Sequence, residues 1–349
     1  MDVLLLFLVL AVLITLVFDF TNGFHDASNI IATIIASRAM TPTQAVLVVA
    51  GFEFLGPVLG GTAVANTIGK FIDLGDVEAV KALLVILAGL FSATLWNLFT
   101  WMRGIPSSSS HALVGGLIGA VIISVGPEHV VWGFSQLAQG HFTGVTKVLL
   151  ALVLSPIIGF SVGFLLQRLM MFLLRAAKPS INKSLRRGQW VTAAGLAFSH
   201  GANDAQKSMG VLTLILLLSG HISDFVVPLW VIAACATSMT LGVVMGGWRI
   251  VRTLGFSIYK IRPIHAFNSQ LTACSVIFTA SLIGAPVSTT HVVGSSIMGI
   301  GASDHPKAVK WKKAKEIFTT WGITIPFSAL VASVAYFIIN TLYHAFSLV

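Results

Sequence analysis

Charged residues are scarce in this chain: they make up 9% of its 349 residues, whereas hydrophobic residues make up 56%. Apolar runs of about twenty residues, the length of a membrane-crossing helix, recur throughout the sequence. They leave no segment for a separate water-soluble domain. The composition therefore predicts an all-α polytopic protein surrounded by a lipid bilayer.

Cysteine is almost absent, and the two cysteines, Cys235 and Cys274, lie in apolar runs. This argues against a disulfide framework and against a thiolate metal site, and we expect both cysteines to serve helix packing. The first apolar segment lacks both a preceding basic stretch and a small-residue cleavage site. We therefore expect it to be a retained helix rather than a cleaved signal.

The sequence also lacks an enzymatic constellation. It contains no nucleophile elbow, and the adjacent Ser110 and His111 would not face each other on a helix. We therefore predict no catalytic residue, no cofactor and no enzymatic activity.

Positive charge is unevenly placed, although the net charge is +9. Lysine and arginine concentrate between apolar segments, in residues 168–187, 249–262 and 307–315. The positive-inside rule assigns such connections to the cytoplasm. This placement argues against nucleic acid as a partner. It predicts a multi-pass protein of the cell membrane, plasma or inner, with the central connection cytoplasmic and both termini outside.

A ten-residue motif occurs twice in the chain. Residues 20–29, FTNGFHDASN, return as residues 198–207, FSHGANDAQK, with Phe, Gly, Asp and Ala at matching positions. A second motif follows each copy, GIPSSSSH at residues 104–111 and GAPVSTTH at residues 284–291. Motifs that recur in the same order half a chain apart indicate an internal duplication.

The apolar runs predict about five crossings in each half, and an odd number places the halves in opposite orientations. Such an inverted-topology repeat is typical of secondary transporters, with the site near the bilayer midplane. The first and sixth segments are expected to be broken at the ten-residue motif, and the helices after Pro106 and Pro286 could be re-entrant. The predicted repeats are 1–174 and 190–349, joined by a basic connection at 175–189. The predicted segments are 3–36, 44–70, 79–102, 106–124, 145–174, 190–218, 225–247, 264–282, 286–300 and 317–346.

Asp26 and Asp204 occupy matching positions of the motif, inside apolar surroundings. A carboxylate at membrane depth is costly unless it is paired, protonated or bound to a cation. Asn29 follows Asp26 by one helical turn, which would put both on one face. Oxygen ligands of this kind suit a small hard cation, and the alternative is a carboxylate bonded to backbone amides at a helix break. The set predicted for cation coupling is Asp26, Asn29, Asn203, Asp204 and Glu53, with exposed carbonyls at Gly23 and Gly201.

The second motif points to an anion. Pro106 and Pro286 suit the first turn of a helix, where the missing N–H is no loss. The following amides and hydroxyls would then converge on a helix N-terminus, an anion-binding arrangement. Ordinary capping and packing by small residues is the alternative. The hydroxyl residues concerned are Ser107, Ser108, Ser109, Ser110, Ser288, Thr289 and Thr290.

Carboxylates beside an anion site would repel the anion unless cations occupy them first. Anion and cation then bind better together than apart, which is a coupling mechanism. His25 and His200, which lie in the motifs, could be ligands of a metal ion. Hydrogen bonding that stabilises the helix breaks would explain these histidines equally well. Glu53 could be a proton acceptor, a gate residue or a packing residue.

These motifs resemble the inorganic phosphate transporter (PiT) family. The signature Gly-Ala-Asn-Asp stands at residues 201–204 and in degenerate form at residues 23–26. The Pro-x-Ser-Thr-Thr-His element stands at residues 286–291 and, as Pro-Ser-Ser-Ser-Ser-His, at residues 106–111. The resemblance covers nearly the whole chain. It implies import of inorganic phosphate by symport with Na⁺ or H⁺, through alternating access of an inverted-repeat fold. It also implies that both aspartates, Asn29 and the hydroxyl runs form a shared site, and it is compatible with a homodimer.

Two residues depart from the family pattern. Lys207 stands where sodium-coupled relatives have asparagine, and Gln270 stands where several have glutamate. We hypothesise that Lys207 supplies a tethered positive charge at the phosphate site, in place of a mobile cation. A sulfate permease of the same fold, a divalent metal transporter, a metal-phosphate transporter and an anion channel remain alternatives.

Overall fold

The computed structural model describes residues 3–347 and the side chains of residues 3–345. Within this range the chain forms thirteen α-helices and no β-strand beyond one isolated bridge between Ile72 and Val130. This confirms the predicted all-α class. The helices are α1 (Val3–Ser37), α2 (Pro42–Leu59), α3 (Ala63–Ile68), α4 (Ala79–Arg103), α5 (Ser109–Ser124), α6 (Phe134–Ala138), α7 (Gly144–Leu173), α8 (Ile181–Leu218), α9 (Leu229–Met245), α10 (Trp248–Arg252), α11 (Pro263–Leu282), α12 (Thr289–Asp304) and α13 (Trp311–Ser347).

Five helices of the described chain, α1, α2, α4, α7 and α13, are long and apolar enough to cross a membrane. Helix α9, with the bent segment 248–257 that follows it at 59°, would make a sixth crossing. Large apolar side chains such as Leu13, Leu165 and Phe337 point outward, as lipid contact requires. The protein is therefore a multi-pass membrane protein. Five crossings per half, and their orientation, stay predictions.

Helices α5 and α12 have 16 residues each, about 24 Å, which is shorter than the roughly 30 Å hydrocarbon core. Both are almost wholly buried among the other helices. Each follows a glycine in the left-handed region, Gly104 and Gly284, both at φ 64°, and then a stretch of non-helical backbone. Non-helical backbone at membrane depth is tolerated where protein surrounds it, as it does here.

The expectation that the ten-residue motif breaks two helices is wrong. Helices α1 and α8 run uninterrupted through both copies. Gly23 and Gly201 serve close packing instead, since an added Cβ would lie 2.1 Å from the carbonyl oxygen of Met239 and 2.3 Å from that of Glu53. Because both glycines lie inside continuous helices, their carbonyls are not exposed as cation ligands.

The breaks lie instead in the second motif. Pro106 and Pro286 do not occupy the first helical turn, since α5 begins at Ser109 and α12 at Thr289. The chain reverses after α4 and runs back along it, with Ser107 Oγ donating to Thr100 Oγ1 at 2.8 Å. The first turns of α5 and α12 therefore lie within the protein rather than at its surface.

Two other predicted boundaries differ from the structure. The segment 44–70 is divided at Gly60 into α2 and α3. The basic connection 175–189 is mostly helical, because α8 already begins at Ile181. The other predicted segments match helices with ends that differ by a few residues.

The helices pack in matching pairs across the two halves. Helix α1 packs on α9 as α8 packs on α2, α4 packs on α5 as α11 packs on α12, and α5 packs on α13 as α12 packs on α7. The match extends to single residues. An added Cβ on Gly56 would lie 2.3 Å from the carbonyl oxygen of Phe198, and one on Gly242 would lie 2.1 Å from that of Phe20. Each half thus packs equivalent helices against the other half, around a common centre.

Candidate functional site

The two motif aspartates meet at the centre of the protein through one threonine. Thr289 Oγ1 lies 3.3 Å from Asp26 Oδ2 and 3.2 Å from Asp204 Oδ2. Thr290 Oγ1 donates to Asp26 Oδ1 at 3.1 Å. All four side chains are at most 2% exposed. Helices α1 and α8 therefore bring both carboxylates to the first turn of α12.

Lys207 is the buried cation of this centre. Its ammonium donates to Asp204 Oδ1 at 2.6 Å, to Ser110 Oγ at 2.5 Å and to the carbonyl oxygen of Val287 at 2.9 Å. These contacts use all three of its N–H groups. Lys207 thus links α8 to the first turn of α5 and to the non-helical segment before α12.

Asn29 makes the equivalent contact in the other half. It lies at the position of the first motif copy that Lys207 holds in the second, and its Nδ2 donates to Thr290 Oγ1 at 2.9 Å. Thr290 in turn lies at the position of its motif that Ser110 holds in the first half. The duplicated sequence therefore forms two matching contacts, one neutral and one charged.

His200 joins both aspartates to Glu53. Its Nδ1 is hydrogen-bonded to Glu53 Oε1 at 2.6 Å, and its Nε2 lies 3.8 Å from an oxygen of Asp26 and of Asp204. Asp26, His200 and Asp204 each offer a ligand atom within 4.8 Å of the others, so these three could hold a metal ion. Among the described residues, Glu53 is hydrogen-bonded to the centre through this histidine.

His25 and Asn203 occupy matching motif positions and hold the chain reversals. His25 Nδ1 is hydrogen-bonded to Asp26 Oδ1 at 2.7 Å, and its Nε2 lies 3.2 Å from Thr100 Oγ1 and 3.4 Å from Ser107 Oγ. Asn203 Nδ2 donates to Ser281 Oγ at 3.1 Å and to the carbonyl oxygen of Ala285 at 3.2 Å. The amide of Asn203 therefore points away from the centre.

The hydroxyl runs divide into caps and site residues. Ser108 and Ser288 cap α5 and α12, each accepting the N–H three residues on, and do not join the centre. Ser109 Oγ is buried and has no hydrogen-bond partner in the described chain. The caps occupy the third N–H group of each helix. The first two N–H groups, those of Ser109 and Ser110 and those of Thr289 and Thr290, have no partner within their helix and can bind an anion.

Gln270 lies in a separate polar cluster. Its Nε2 donates to Thr33 Oγ1 at 3.0 Å, and its Oε1 accepts from Thr192 Oγ1 at 2.6 Å. The three helices α1, α8 and α11 meet there. Gln270 therefore serves helix packing in this conformation.

Sequence reasoning missed Asp19 and Gln206. Asp19 is fully buried, and its Oδ1 accepts from Ser208 Oγ at 2.7 Å. Gln206 Oε1 accepts the N–H groups of Val64, at 2.8 Å, and Ala65, and so caps the short helix α3. Asp19 could have been found as an acid within an apolar run, which is a functional candidate by default.

Four carboxyl groups face one lysine in this interior. Asp19, Asp26, Glu53 and Asp204 are at most 2% exposed, as is Lys207. Even with the two histidines that contact these acids, His25 and His200, both protonated, four carboxylates would face three positive side chains. Buried charge must be neutralised, so the centre requires protons or bound cations. The first turns of α5 and α12 lie beside it, and a helix N-terminus is an arrangement that can bind an anion.

A polytopic helical protein whose two halves enclose buried carboxyl groups, a lysine and two helix N-termini fits the class of membrane transporters. The sequence profile of the phosphate transporter family matches residues 22–183 and 174–332 of this chain. The chain belongs to the phosphate transporter family, which confirms the resemblance inferred from the motifs.

Three similar proteins illustrate the family relationship. A probable low-affinity inorganic phosphate transporter of Bacillus subtilis is 44% identical over 98% of this chain and 100% of that protein. One from Rhizobium meliloti is 40% identical over 93% and 94%. Both relatives are named as transporters and not as enzymes, which agrees with the prediction of no enzymatic activity. A solved structure titled "The sodium-dependent phosphate transporter" shares the fold, with a TM-score of 0.83 and 23% identity, over 96% of this chain and 99% of that one.

Proposed function

We propose that the chain imports inorganic phosphate by cation-coupled symport, with alternating access to the buried centre. The excess of buried carboxyl groups beside two free helix N-termini carries this proposal. Phosphate would neutralise the N-termini and Lys207, while cations neutralise the carboxylates. Each then improves the binding of the other, as coupling requires.

Several contacts support the assignment of individual residues. Lys207, Ser109 and Ser110 lie together at the first turn of α5, and Thr289 and Thr290 lie at that of α12. We assign phosphate binding to these residues. Asp26, Asp204 and Asn29, with Glu53 acting through His200, are assigned to cation coupling.

The centre is closed to solvent, because the side chains that form it are nearly all inaccessible. Phosphate enters and leaves such a site only after helices move. Helix α1 packs on α9 as α8 packs on α2, so the two halves could take each other's conformation. Such an interchange would open the centre to one side of the membrane and then to the other. The orientation of the halves, the cytoplasmic connection, the outer termini and a homodimer stay predictions.

Phosphate is preferred over sulfate on hydrogen-bonding grounds. Phosphate carries a proton at neutral pH and sulfate does not, and carboxylates only accept hydrogen bonds. The carboxylates of Asp26 and Asp204 beside the N-termini therefore favour the anion that can donate. The relatives named above as phosphate transporters support the same choice.

A metal-phosphate complex is a second candidate substrate. The buried set of Asp26, His200 and Asp204 favours it, since carboxylate and imidazole ligands suit a divalent ion. In that case the metal would be cargo carried with phosphate. Stimulation of phosphate uptake by a divalent ion, with co-uptake of that ion, would distinguish it from simple symport.

The test is uptake of labelled phosphate into proteoliposomes that contain the purified protein. Na⁺ and H⁺ gradients are imposed separately, and sulfate is added as competitor. We expect accumulation driven by one gradient and resistant to sulfate. The matched control is Ser124→Ala, in a residue that bonds only within α5. Accumulation of sulfate but not phosphate would overturn the substrate assignment.

A further inference from the structure

Asp19 is one of the four buried acids, and the proposed function assigns it no part in binding phosphate or the coupling cation. It lies on α1, seven residues before Asp26, and is 0% exposed. One oxygen, Oδ1, accepts from Ser208 Oγ at 2.7 Å. The other, Oδ2, has no hydrogen-bond partner among the described residues.

A carboxylate in this environment is poorly compensated. Ionised carboxyl groups in protein interiors are normally held by several donors or by a cation. Asp19 has one neutral hydroxyl donor, so the arrangement suits a carboxyl group that carries a proton. The unpartnered Oδ2 is the position for that proton.

The groups around Asp19 link it to the phosphate site. Ser208 is adjacent in sequence to Lys207 on α8. Along α1, Asp19, Asn22 and Asp26 are spaced three and four residues apart and share one face. Asn22 is 1% exposed, and both polar atoms of its amide lack a partner in the described chain. A polar column of about 10 Å thus connects the two acids along the helix.

The charged and titratable groups facing Asp19 come from three other helices. Lys207 and Asp204 belong to α8, Glu53 to α2 and Cys235 to α9. Helix α4 contributes only neutral side chains over residues 82–102. The side-chain hydrogen bonds of α11 and α12 to α1 lie at Asp26, Asn29 and Thr33, at least seven residues after Asp19. A change of charge at Asp19 is therefore felt first by the lysine and acids of the phosphate site.

Asp19 has no counterpart in the repeat. The matching position on α8, directly before the second copy of the ten-residue motif, is Ala197, which is buried and apolar. Packing of this helix position therefore does not demand an acid. The carboxyl group must be explained by its chemistry.

We propose that Asp19 is a proton-binding group of the transport cycle, which takes up a proton with phosphate and releases it after the helices rearrange. The inference rests on the proposed function and deepens it, because it identifies one coupling cation as H⁺. The charge on Asp19 would act on Lys207 through the Ser208 neighbour and on Asp26 along α1.

The experiment separates two activities of purified protein in proteoliposomes. Exchange of external labelled phosphate for internal phosphate needs no net proton movement. Accumulation driven by an imposed pH gradient does. Asp19→Asn mimics the protonated acid and keeps the acceptor for Ser208. We expect it to retain exchange and to lower gradient-driven accumulation about tenfold, a size typical of coupling between sites.

Asp19→Glu is the second variant, because it retains an ionisable group. We expect it to accumulate phosphate, with an altered dependence on pH. Full accumulation by Asp19→Asn would overturn the proposal. So would an equal loss of exchange and accumulation in Asp19→Asn protein that elutes like the wild type.

The wild-type protein separates this inference from the proposed function. Accumulation driven by Na⁺ alone and indifferent to the pH gradient would overturn the role of Asp19 and leave phosphate transport standing. Absence of any phosphate exchange by the wild-type protein would overturn the proposed function, and the inference with it.

Discussion

The two halves of the molecule share their packing but differ in their buried charge. Gly23 and Gly201 make the same close helix contact, and Asp26 and Asp204 occupy the same position. Among the buried Asp, Glu and Lys residues, three break the match, and the histidines His25 and His200 also differ, since they correspond to Asn203 and Asn22. Lys207 corresponds to Asn29, Asp19 corresponds to Ala197, and Glu53 corresponds to Met239, the residue that packs on Gly23 as Glu53 packs on Gly201.

The shared features, such as the two glycine contacts, maintain the packing of the helices. The features that differ are charged side chains of the buried centre. The extra base lies in the second half and the two extra acids lie in the first. Helices of each half pack against the other half around one centre. Lys207, Asp19 and Glu53 are therefore buried in the same interior. Lys207 is therefore accompanied by two acids, Asp19 and Glu53, and none of the three has an equivalent in the other half.

The largest expected effect comes from breaking the charged contact of the second half. Asp204→Asn leaves the Lys207 ammonium without its carboxylate, and breaking a buried ion pair costs about 3–5 kcal/mol. Asp26→Asn leaves that pair in place and should lower the free energy of unfolding much less. Thermal unfolding in detergent compares the two variants. Equal destabilisation would show that the halves do not differ in this way.

The glycine pair tests the shared scaffold. Gly23→Ala and Gly201→Ala each force a Cβ against a backbone carbonyl, and overpacking of this kind costs about 1–3 kcal/mol. We expect similar losses in the unfolding midpoint, because the two contacts are equivalent. Gly51→Ala is the control, since an added Cβ there meets nothing within 4 Å. A large difference between the two variants would contradict equivalent packing.

Lys207→Asn makes the second half resemble the first. Without the tethered ammonium, Asp204 needs a mobile cation, so phosphate uptake should become dependent on added Na⁺ or K⁺. We expect the apparent phosphate affinity at low salt to fall about 10- to 100-fold, in line with about 1.5–3 kcal/mol for a hydrogen bond to a charged group. Uptake is measured over a cation titration, with Lys207→Arg as control. Unchanged cation dependence in Lys207→Asn would count against a tethered charge.

Much of this arrangement follows from the sequence, for reasons that individual residues make clear. The duplicated motifs located Asp26 and Asp204, since an acid in an apolar run is costly and a repeated one is informative. The same reasoning erred on Gly23, because a glycine that allows close helix packing resembles one that breaks a helix. Tertiary context decides between them, and here the carbonyl of Met239 fills the space.

Other contacts depend on distances that no local pattern contains. The bond between Lys207 and Ser110 joins residues 97 positions apart, and that between Asp19 and Ser208 joins residues 189 apart. Ser108 and Ser110 are identical in type and close in sequence, yet one caps a helix and the other contacts the lysine. The start of α5, not its composition, sets these roles.

The smallest expected effect concerns the far ends of α5 and α12. Asp304, the last residue of α12, accepts a hydrogen bond from Tyr259 at 2.7 Å and pairs with Arg262. Its counterpart in the first half is Ser124, the last residue of α5, which bonds only within its helix. Partial burial raises the pKa of Asp304, but the hydrogen bonds from Tyr259 and His305, with nearby positive charge, outweigh it and lower the pKa to about 2.

A lowered pKa stabilises the folded protein above the unfolded value of 3.8, and this contribution is lost as the pH falls towards 2. Asp304→Asn should therefore cost about 1 kcal/mol at neutral pH, a modest amount because the Arg262 side chain is 55% exposed. The difference in unfolding midpoint between wild type and variant should shrink between pH 4 and pH 2. Ser124→Ala should show no such pH dependence. A difference that persists unchanged at pH 2 would mean that Asp304 stabilises α12 by packing rather than by charge.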